Sequence, residues 1–208
     1  MTNVLIIDSA ATGDASVSRR LTGELEAILR GRGPVRIVRR DVGAAPVPHL
    51  TAETTPAIRG GEAETDAARD AVALSDELIA ELKAADLIVI GAPMYNFGMA
   101  STLKSWFDHV LRAGITFRYS ATGPEGLVTG KKAIVIESRA GLYSTGPAAA
   151  MDSQEPHLRT LLGFIGLTDV AFVRAERLAF GPEAAAASIA DAVEQLRALA
   201  AEELPLAA

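Results

Sequence analysis

The sequence predicts an α/β fold in which one parallel β-sheet carries helices on both faces. Short, continuous apolar runs, typical of strands that are buried on both faces, recur along the 208 residues. Amphipathic helical segments alternate with these runs, as the crossovers between parallel strands require. Three of the runs end in loops of small, hydroxylated or aromatic residues, which is the composition expected at the ligand-binding edge of such a sheet.

Five strands and five helices are predicted in strict alternation. We expect strands at residues 4–7, 35–41, 86–91, 132–137 and 170–173. We expect helices at residues 17–30, 66–83, 103–111, 153–165 and 182–199. The second strand alternates apolar and polar residues, so it is placed at a sheet edge. Five strands fit the flavodoxin-like order 2-1-3-4-5, whose ligand lies at the switch point between strands 1 and 3. We expect one flavodoxin-like domain, residues 1–208.

Composition excludes several classes of protein. The chain has no cysteine, which removes disulfides, thiolate metal sites and cysteine nucleophiles. A net charge of −6 without a basic cluster argues against a nucleic-acid partner. His49, His109 and His157 lack metal-ligand spacing, so no metal is expected. No apolar run is long enough for a membrane span or a signal peptide, and a soluble cytoplasmic protein is expected.

The loop at residues 9–18 has the composition of a phosphate site. Ser16 and Ser18 stand at the start of the first predicted helix, where free backbone N–H groups and the helix dipole favour an anion. Plain N-capping by Ser16 explains the same residues equally well. The loop alone therefore leaves both interpretations open.

The loops at residues 92–98 and 138–146 suit a flat polar ring. Asn96 offers amide donors and acceptors to a ring edge, Phe97 can pack on a ring, and Met94 can line its side. The glycine-rich loop 138–146 offers backbone N–H groups at close approach. A phosphate end plus a flat ring describes FMN, whereas the GxxxxGK[ST] and GxGxxG signatures of other nucleotide sites are absent from the sequence.

Four segments together resemble one known family. They are Pro93-Met94-Tyr95-Asn96-Phe97, residues 112–119 (RAGITFRY), residues 123–132 (GPEGLVTGKK) and Ser138-Arg139-Ala140-Gly141. On these segments, and over nearly the whole chain from Val4 to the last helix, the sequence resembles the FMN-dependent NADH azoreductases. These belong to the NAD(P)H:quinone oxidoreductase-like flavoproteins.

The resemblance implies a homodimer with non-covalent FMN at the subunit interface and a ping-pong reaction. NADH or NADPH reduces FMN, and a quinone or azo compound then takes the electrons. FMN carries the chemistry, so no catalytic side chain is predicted. The residues implied to bind the cofactor are Ser9, Ser16, Val17, Ser18, Met94, Tyr95, Asn96, Phe97, Ser138, Arg139, Ala140 and Gly141. The residues implied to line the substrate space are Phe97, Tyr119 and Tyr143.

The chain departs from the family pattern, and two other functions stay open. Ala10 stands where the family commonly has a second serine, and Tyr143 stands where it often has a histidine. The first alternative is a non-catalytic flavodoxin-like module that uses residues 42–65 and 113–130 as a partner-binding surface. The second is an FMN reductase that releases its flavin.

Overall fold

The apolar runs of the sequence form the strands, and the amphipathic segments form the helices, in a computed structural model that describes residues 1–203. The strands are β1 (Thr2–Asp8), β2 (Val35–Asp41), β3 (Leu87–Tyr95), β4 (Gly98–Met99), β5 (Phe117–Ser120), β6 (Gly123–Gly126), β7 (Lys132–Ser138) and β8 (Asp169–Ala175). The helices are α1 (Val17–Arg32), α2 (Thr55–Ile58), α3 (Asp66–Ala84), α4 (Ser101–Val110), α5 (Gln154–Phe164) and α6 (Pro182–Glu203).

The main sheet has the order β2-β1-β3-β7-β8, and these five strands pair in parallel. This is the predicted flavodoxin-like order 2-1-3-4-5, and β2 lies at the predicted edge. A sixth, two-residue strand, β4, pairs antiparallel with the end of β3. Because β1, β3 and β7 are parallel and adjacent, their carboxyl ends lie at the same edge of the sheet, so the loops after these three strands lie side by side.

Alternate side chains of each central strand build two apolar layers. Ile88 of β3 and Val135 of β7 pack against α3, α4 and α5, in a cluster that includes the fully buried Trp106. Val89 and Ile134 pack on the other face against α1 and α6. The alternation follows from the two-residue repeat of a strand. Both faces of the sheet are therefore covered, which fixes the strand ends and the loops that follow them.

Several predicted boundaries are wrong. Residues 92–95 were predicted as loop, but they continue β3 because β4 folds back and pairs with Met94 and Tyr95. Residues 42–65 and 113–130, for which no strand or helix was predicted, contain the short helix α2 and the hairpin β5–β6 respectively. Local pairing, which leaves little periodic signal, formed these elements. Residues 204–208 lie outside the described residues, so the one-domain prediction stays a prediction.

No helix within residues 1–203 is both long enough and apolar enough to cross a membrane.

Candidate functional site

The loops after β1, β3 and β7 contact one another directly at the carboxyl edge of the sheet, and the space that they border is called the cleft below. The backbone N–H of Ala11 donates to the hydroxyl of Tyr95, with a nitrogen–oxygen distance of 3.1 Å. The rings of Phe97 and Tyr143 meet edge to face, with centroids 6.0 Å apart. The structure thus brings together the three segments in which the sequence predicts phosphate and ring contacts.

The start of α1 presents a set of donors to the cleft. Ser16 is the N-cap, and its Oγ lies 3.0 Å from the Oγ of Ser18, with both side chains buried. One hydroxyl hydrogen serves this contact, which leaves the other to donate. Val17 and Ser18 occupy the first two helical positions, whose N–H groups have no acceptor inside a helix. Such an array binds a phosphate.

This helix start has a capping hydrogen bond and also a buried donor without a partner among residues 1–203. The Oγ of Ser16 accepts from the backbone N–H of Arg19, but the distance is 3.4 Å, which is long for a hydrogen bond. The guanidinium of Arg19 forms an ion pair with Asp41. Its buried Nε has no hydrogen-bond acceptor within residues 1–203. A buried N–H without an acceptor needs an explanation, and an anion bound at the adjacent helix start would supply one.

Ser9 joins the loop after β1 to β3 and α4 through hydrogen bonds. Its buried hydroxyl donates to the carbonyl of Gly91 over 2.7 Å, and its own carbonyl accepts from Thr102 over 3.3 Å. The hydroxyl hydrogen is therefore already donated inside the fold. Ala10, which follows, brings no hydroxyl. The predicted contact of Ser9 with a cofactor would have to use its remaining oxygen lone pair.

The loop after β3 is a tight two-residue turn rather than the predicted 92–98 loop. Asn96 and Phe97 have φ angles of +48° and +71°, as a hairpin turn of type I′ requires. A bulky side chain such as that of Phe97 is rare in this region and stores strain. The Phe97 side chain is 39% exposed, and the turn is anchored by the Ser153 N–H, which donates to the carbonyl of Phe97 over 3.0 Å.

The loop after β7 turns its carbonyl groups inward. The carbonyls of Ala140 and Gly141 accept from the backbone N–H groups of Ala179 and Arg177, over 3.0 and 2.8 Å. Among residues 1–203, none accepts a hydrogen bond from the N–H groups of Ala140, Gly141 and Leu142. Three successive donors are therefore available to an electron-rich ring edge.

Gly141 is also a place of close approach. A Cβ at this position would lie 3.0 Å from the ring of Tyr143, so a larger residue would displace that ring. The glycine thus keeps the Tyr143 side chain folded over the loop, between Gly141 and Phe97. FMN has an anionic end and a flat polar ring. Such a group would fit the N–H groups of residues 140–142, the donors at Ser16 and Ser18, and the aromatic side chains of Phe97 and Tyr143.

The side chain of Arg139 lies away from the cleft. It is fully buried in an ion network, because it follows Glu137 by two residues and points to the same side of the chain. Its polar partners are Glu137 (2.6 Å), Asp152 (3.0 Å), Gln154 (3.2 Å), Glu176 (3.3 Å) and Glu155 (3.7 Å). Its backbone N–H donates to Ala175. Arg139 therefore offers the cleft no side-chain donor. Its buried ion pairs instead stabilise the loop after β7.

The carboxyl groups of this network have strongly shifted pKa values. Burial raises the pKa of Glu137 to about 8, against the opposing effect of Arg139. The buried Oε1 of Glu137 has no hydrogen-bond partner within residues 1–203. Burial also acts to raise the pKa of Glu155, but hydrogen bonds from Arg174 and Arg159 outweigh it and lower the pKa to about 2. At neutral pH the network therefore holds its extra proton on Glu137.

The residues predicted to line a substrate space are only partly together. Phe97 and Tyr143 touch at the mouth of the cleft. Tyr119 lies on the hairpin β5–β6, is 74% exposed, and packs edge-on against Phe117 with ring centroids 5.6 Å apart. Its ring contacts within residues 1–203 include neither Phe97 nor Tyr143. In one chain, Tyr119 does not complete the cleft.

The residues that support the loop after β7 from inside the fold were not predicted from the sequence. Glu176, at the end of β8, accepts hydrogen bonds from that loop, and Gln154 joins Arg139 to the carbonyl of Ala92. A signal was present, because Glu137 is the one acidic residue in the apolar run of β7. A buried acid in such a strand requires a cationic partner, and Arg139 follows two residues later.

Comparisons with known proteins agree with this geometry. The chain is 55% identical over 203 residues to the FMN-dependent NADH:quinone oxidoreductase of Hyphomonas neptunium, covering 96% of each chain. It is 47% identical over 203 residues to the protein of the same name from Agrobacterium fabrum, covering 96% of this chain and 98% of that one. Among solved structures it is similar to an azoreductase from Bacillus anthracis, with a TM-score of 0.88 and 27% identity over 97% of this chain and all of that chain.

The family model described as "Flavodoxin-like fold" matches residues 2–200, almost the whole described chain. The match includes the sheet, the helix start at Ser16 and all three loops of the cleft. With its strand order, its carboxyl-edge cleft and these relatives, the chain belongs to this flavodoxin-like family.

Proposed function

We propose that the chain is an FMN-dependent NADH:quinone oxidoreductase that also reduces aromatic azo compounds. One observation carries the proposal: the donors at Ser16 and Ser18 and the free N–H groups of residues 140–142 stand on loops at the same edge of the sheet, and Tyr95 and Phe97 of the hairpin between them contact both loops. The names of the relatives support the activity, since both are FMN-dependent NADH:quinone oxidoreductases, and a structural neighbour is an azoreductase. The partner-binding module has no comparable support.

The chain's residues bind and orient the cofactor. Ser16, Val17 and Ser18 would hold the phosphate of FMN through hydroxyl and N–H donors. Asn96 would hydrogen-bond a ring edge. The loop of Ala140 and Gly141 would place N–H donors at the edge that gains negative charge on reduction. Met94 and Tyr95, at the end of β3, would line the side of the ring.

When bound, FMN accepts hydride from the nicotinamide and passes electrons to the acceptor. The protein then needs no nucleophile and no acid–base triad. Phe97 and Tyr143 would wall the space in which the nicotinamide and the quinone bind in turn. Because the nicotinamide and the quinone would occupy the same space in turn, a ping-pong order is expected. No side chain is assigned to bond-making, and the cytoplasmic location stays a prediction.

A homodimer forms part of the proposal. Large apolar side chains are exposed in the single chain, namely Phe97 (39%), Met151 (46%), Phe180 (63%) and Tyr119 (74%). Burying such side chains against a second copy would be favourable. A second copy docked here would cover them, and Tyr119 would then face the cleft of its partner. Light scattering on the purified protein should give twice the mass of the chain, and a monomer at all concentrations would contradict the dimer.

The activity is tested by steady-state kinetics. Purified protein loaded with FMN is given NADH and a simple water-soluble benzoquinone, with free FMN at the same concentration as control. We expect NADH oxidation far above the control, and parallel lines in double-reciprocal plots. If the protein oxidises NADH no faster than free FMN does, it is not this enzyme. If flavin is lost in each turnover, the FMN reductase alternative is correct.

A further inference from the structure

The loop that follows Arg139 is held by one carboxylate, that of Glu176. Its Oε1 accepts from the backbone N–H groups of Tyr143 and Ser144, over 2.8 and 2.9 Å. Its Oε2 accepts from the hydroxyl of Ser144. Its Oε1 also lies 3.3 Å from the Nη1 of Arg139. Four donors from one short loop thus converge on a single side chain that is itself 7% exposed.

The same network reaches β3 and the turn that follows it. The Nε of Arg139 lies 3.2 Å from the Oε1 of Gln154, and the Nε2 of Gln154 donates to the carbonyl of Ala92 over 2.9 Å. The residue before Gln154, Ser153, donates its N–H to the carbonyl of Phe97. The two loops that would hold the flavin ring are therefore tied to each other through buried hydrogen bonds.

The hydrogen bonds to Glu176 decide which way the loop's donors face. Tyr143 and Ser144 direct their N–H groups back to the carboxylate, whereas the N–H groups of Ala140, Gly141 and Leu142 have no acceptor among residues 1–203. A carboxylate that accepts several N–H bonds fixes a turn strongly, because such charge-assisted bonds are about twice as strong as neutral ones. Hydrogen bonds from Ser144 and Tyr143 lower the pKa of Glu176 against the raising effect of burial.

We propose that Glu176 is a positioning residue that, together with Arg139, orients the N–H donors of residues 140–142 toward the flavin ring. This inference rests on the proposed FMN-dependent function. Glu176 acts through the loop rather than on the reacting atoms. Removing the Glu176 carboxylate should therefore weaken FMN binding and lessen the stabilisation of the negative charge that the flavin ring gains on reduction. The sheet and helices should stay intact.

The test uses three variants of the full chain. Glu176→Ala removes all four contacts. Glu176→Gln retains the Oε1 acceptor for both N–H groups, and its amide can donate to the Ser144 hydroxyl. Glu81→Ala is the matched control, because Glu81 of α3 is a part-buried carboxylate that accepts two bonds from Arg40 of β2, away from the cleft. For each, FMN affinity is measured by quenching of flavin fluorescence, and the midpoint potential of bound FMN by dye-coupled reduction.

We expect Glu176→Ala to weaken FMN binding about tenfold and to make the midpoint potential more negative. Glu176→Gln should restore most of the affinity and the potential, and Glu81→Ala should leave both at the wild-type values. Equal affinity and potential in Glu176→Ala and wild type would overturn the inference and leave the proposed function standing. A wild-type protein that binds no FMN would overturn both.

Discussion

At the scale of single residues, the turn at Asn96 and Phe97 is where the chain departs most from ordinary backbone geometry. Both residues have positive φ, and a residue other than glycine there costs about 1–2 kcal/mol, less for asparagine. Glycine would fit this turn with less strain. The presence of Asn96 and Phe97 in such a turn predicts that their side chains serve the site.

Replacing Asn96 separates that role from turn geometry. Asn96→Gly keeps the positive φ and removes the amide, so we expect an unchanged or slightly higher free energy of unfolding and roughly fivefold weaker FMN binding. Asn96→Leu also removes the amide, but it adds about 1 kcal/mol of backbone strain. Urea unfolding and FMN titration of both variants separate the two effects. Wild-type FMN affinity in Asn96→Gly would refute the assignment of Asn96 to the ring edge.

At the scale of elements, the start of α1 combines a helix cap with the predicted phosphate cradle. Two helices offer a matched comparison, because α3 begins with Thr65, whose side chain accepts from the N–H of Ala68 over 3.1 Å. Loss of either cap should destabilise its helix by about 1 kcal/mol. Of these two helices, α1 is the one that begins at the cleft, next to the loop that Tyr95 contacts.

Ser16→Ala and Thr65→Ala should therefore differ in one property. Both variants should lose a similar free energy of unfolding, while Ser16→Ala alone should weaken FMN binding about tenfold, as expected for a lost hydrogen bond to a charged phosphate. Thermal unfolding without FMN and titration with FMN give the two quantities. If Thr65→Ala weakens FMN binding as much as Ser16→Ala, the effect is one of stability and the phosphate site lies elsewhere.

The elements also show which parts of this fold can be predicted from sequence. The strands β1, β3 and β7 were predictable because their apolar runs are continuous, and the start of α1 was predictable because Ser16 precedes an apolar helix face. The continuation of β3 to Tyr95 could not be predicted, because a two-residue turn at Asn96 leaves no periodic signal in the sequence. The burial of Arg139 was hidden for another reason: its partners Gln154 and Glu176 are distant in sequence and meet it only in the folded chain.

At the scale of the whole molecule, the ion network behind the cleft links stability to pH. Two arginines, Arg139 and Arg174, lie beside Glu137, and three further carboxylates belong to the same network, namely Asp152, Glu155 and Glu176. Burial of Glu137 outweighs the effect of the arginines on its pKa, so this carboxyl retains a proton. Its folded-state pKa of about 8 lies above the ordinary 4.5. The folded protein therefore binds this proton between those pH values, while the unfolded chain has released it.

The sign of the pH effect follows from linkage. The stabilisation from protonated Glu137 is complete below about pH 4.5 and is lost as pH rises through 8. Glu137→Gln resembles the protonated acid at every pH. We expect wild type to lose stability relative to this variant between pH 5.5 and 8.5, by on the order of a few kcal/mol. Urea unfolding at both pH values measures this, and a difference between the proteins that does not change with pH would be inconsistent with a protonated Glu137.

The most direct test of the FMN site is an absorption titration of the purified protein with FMN, followed by desalting. If the loops after β1, β3 and β7 form one flavin site, the visible bands should shift and saturate at one FMN per chain, and the flavin should stay with the protein. Bands identical to those of free FMN, with all flavin separated on the column, would contradict the account at its centre.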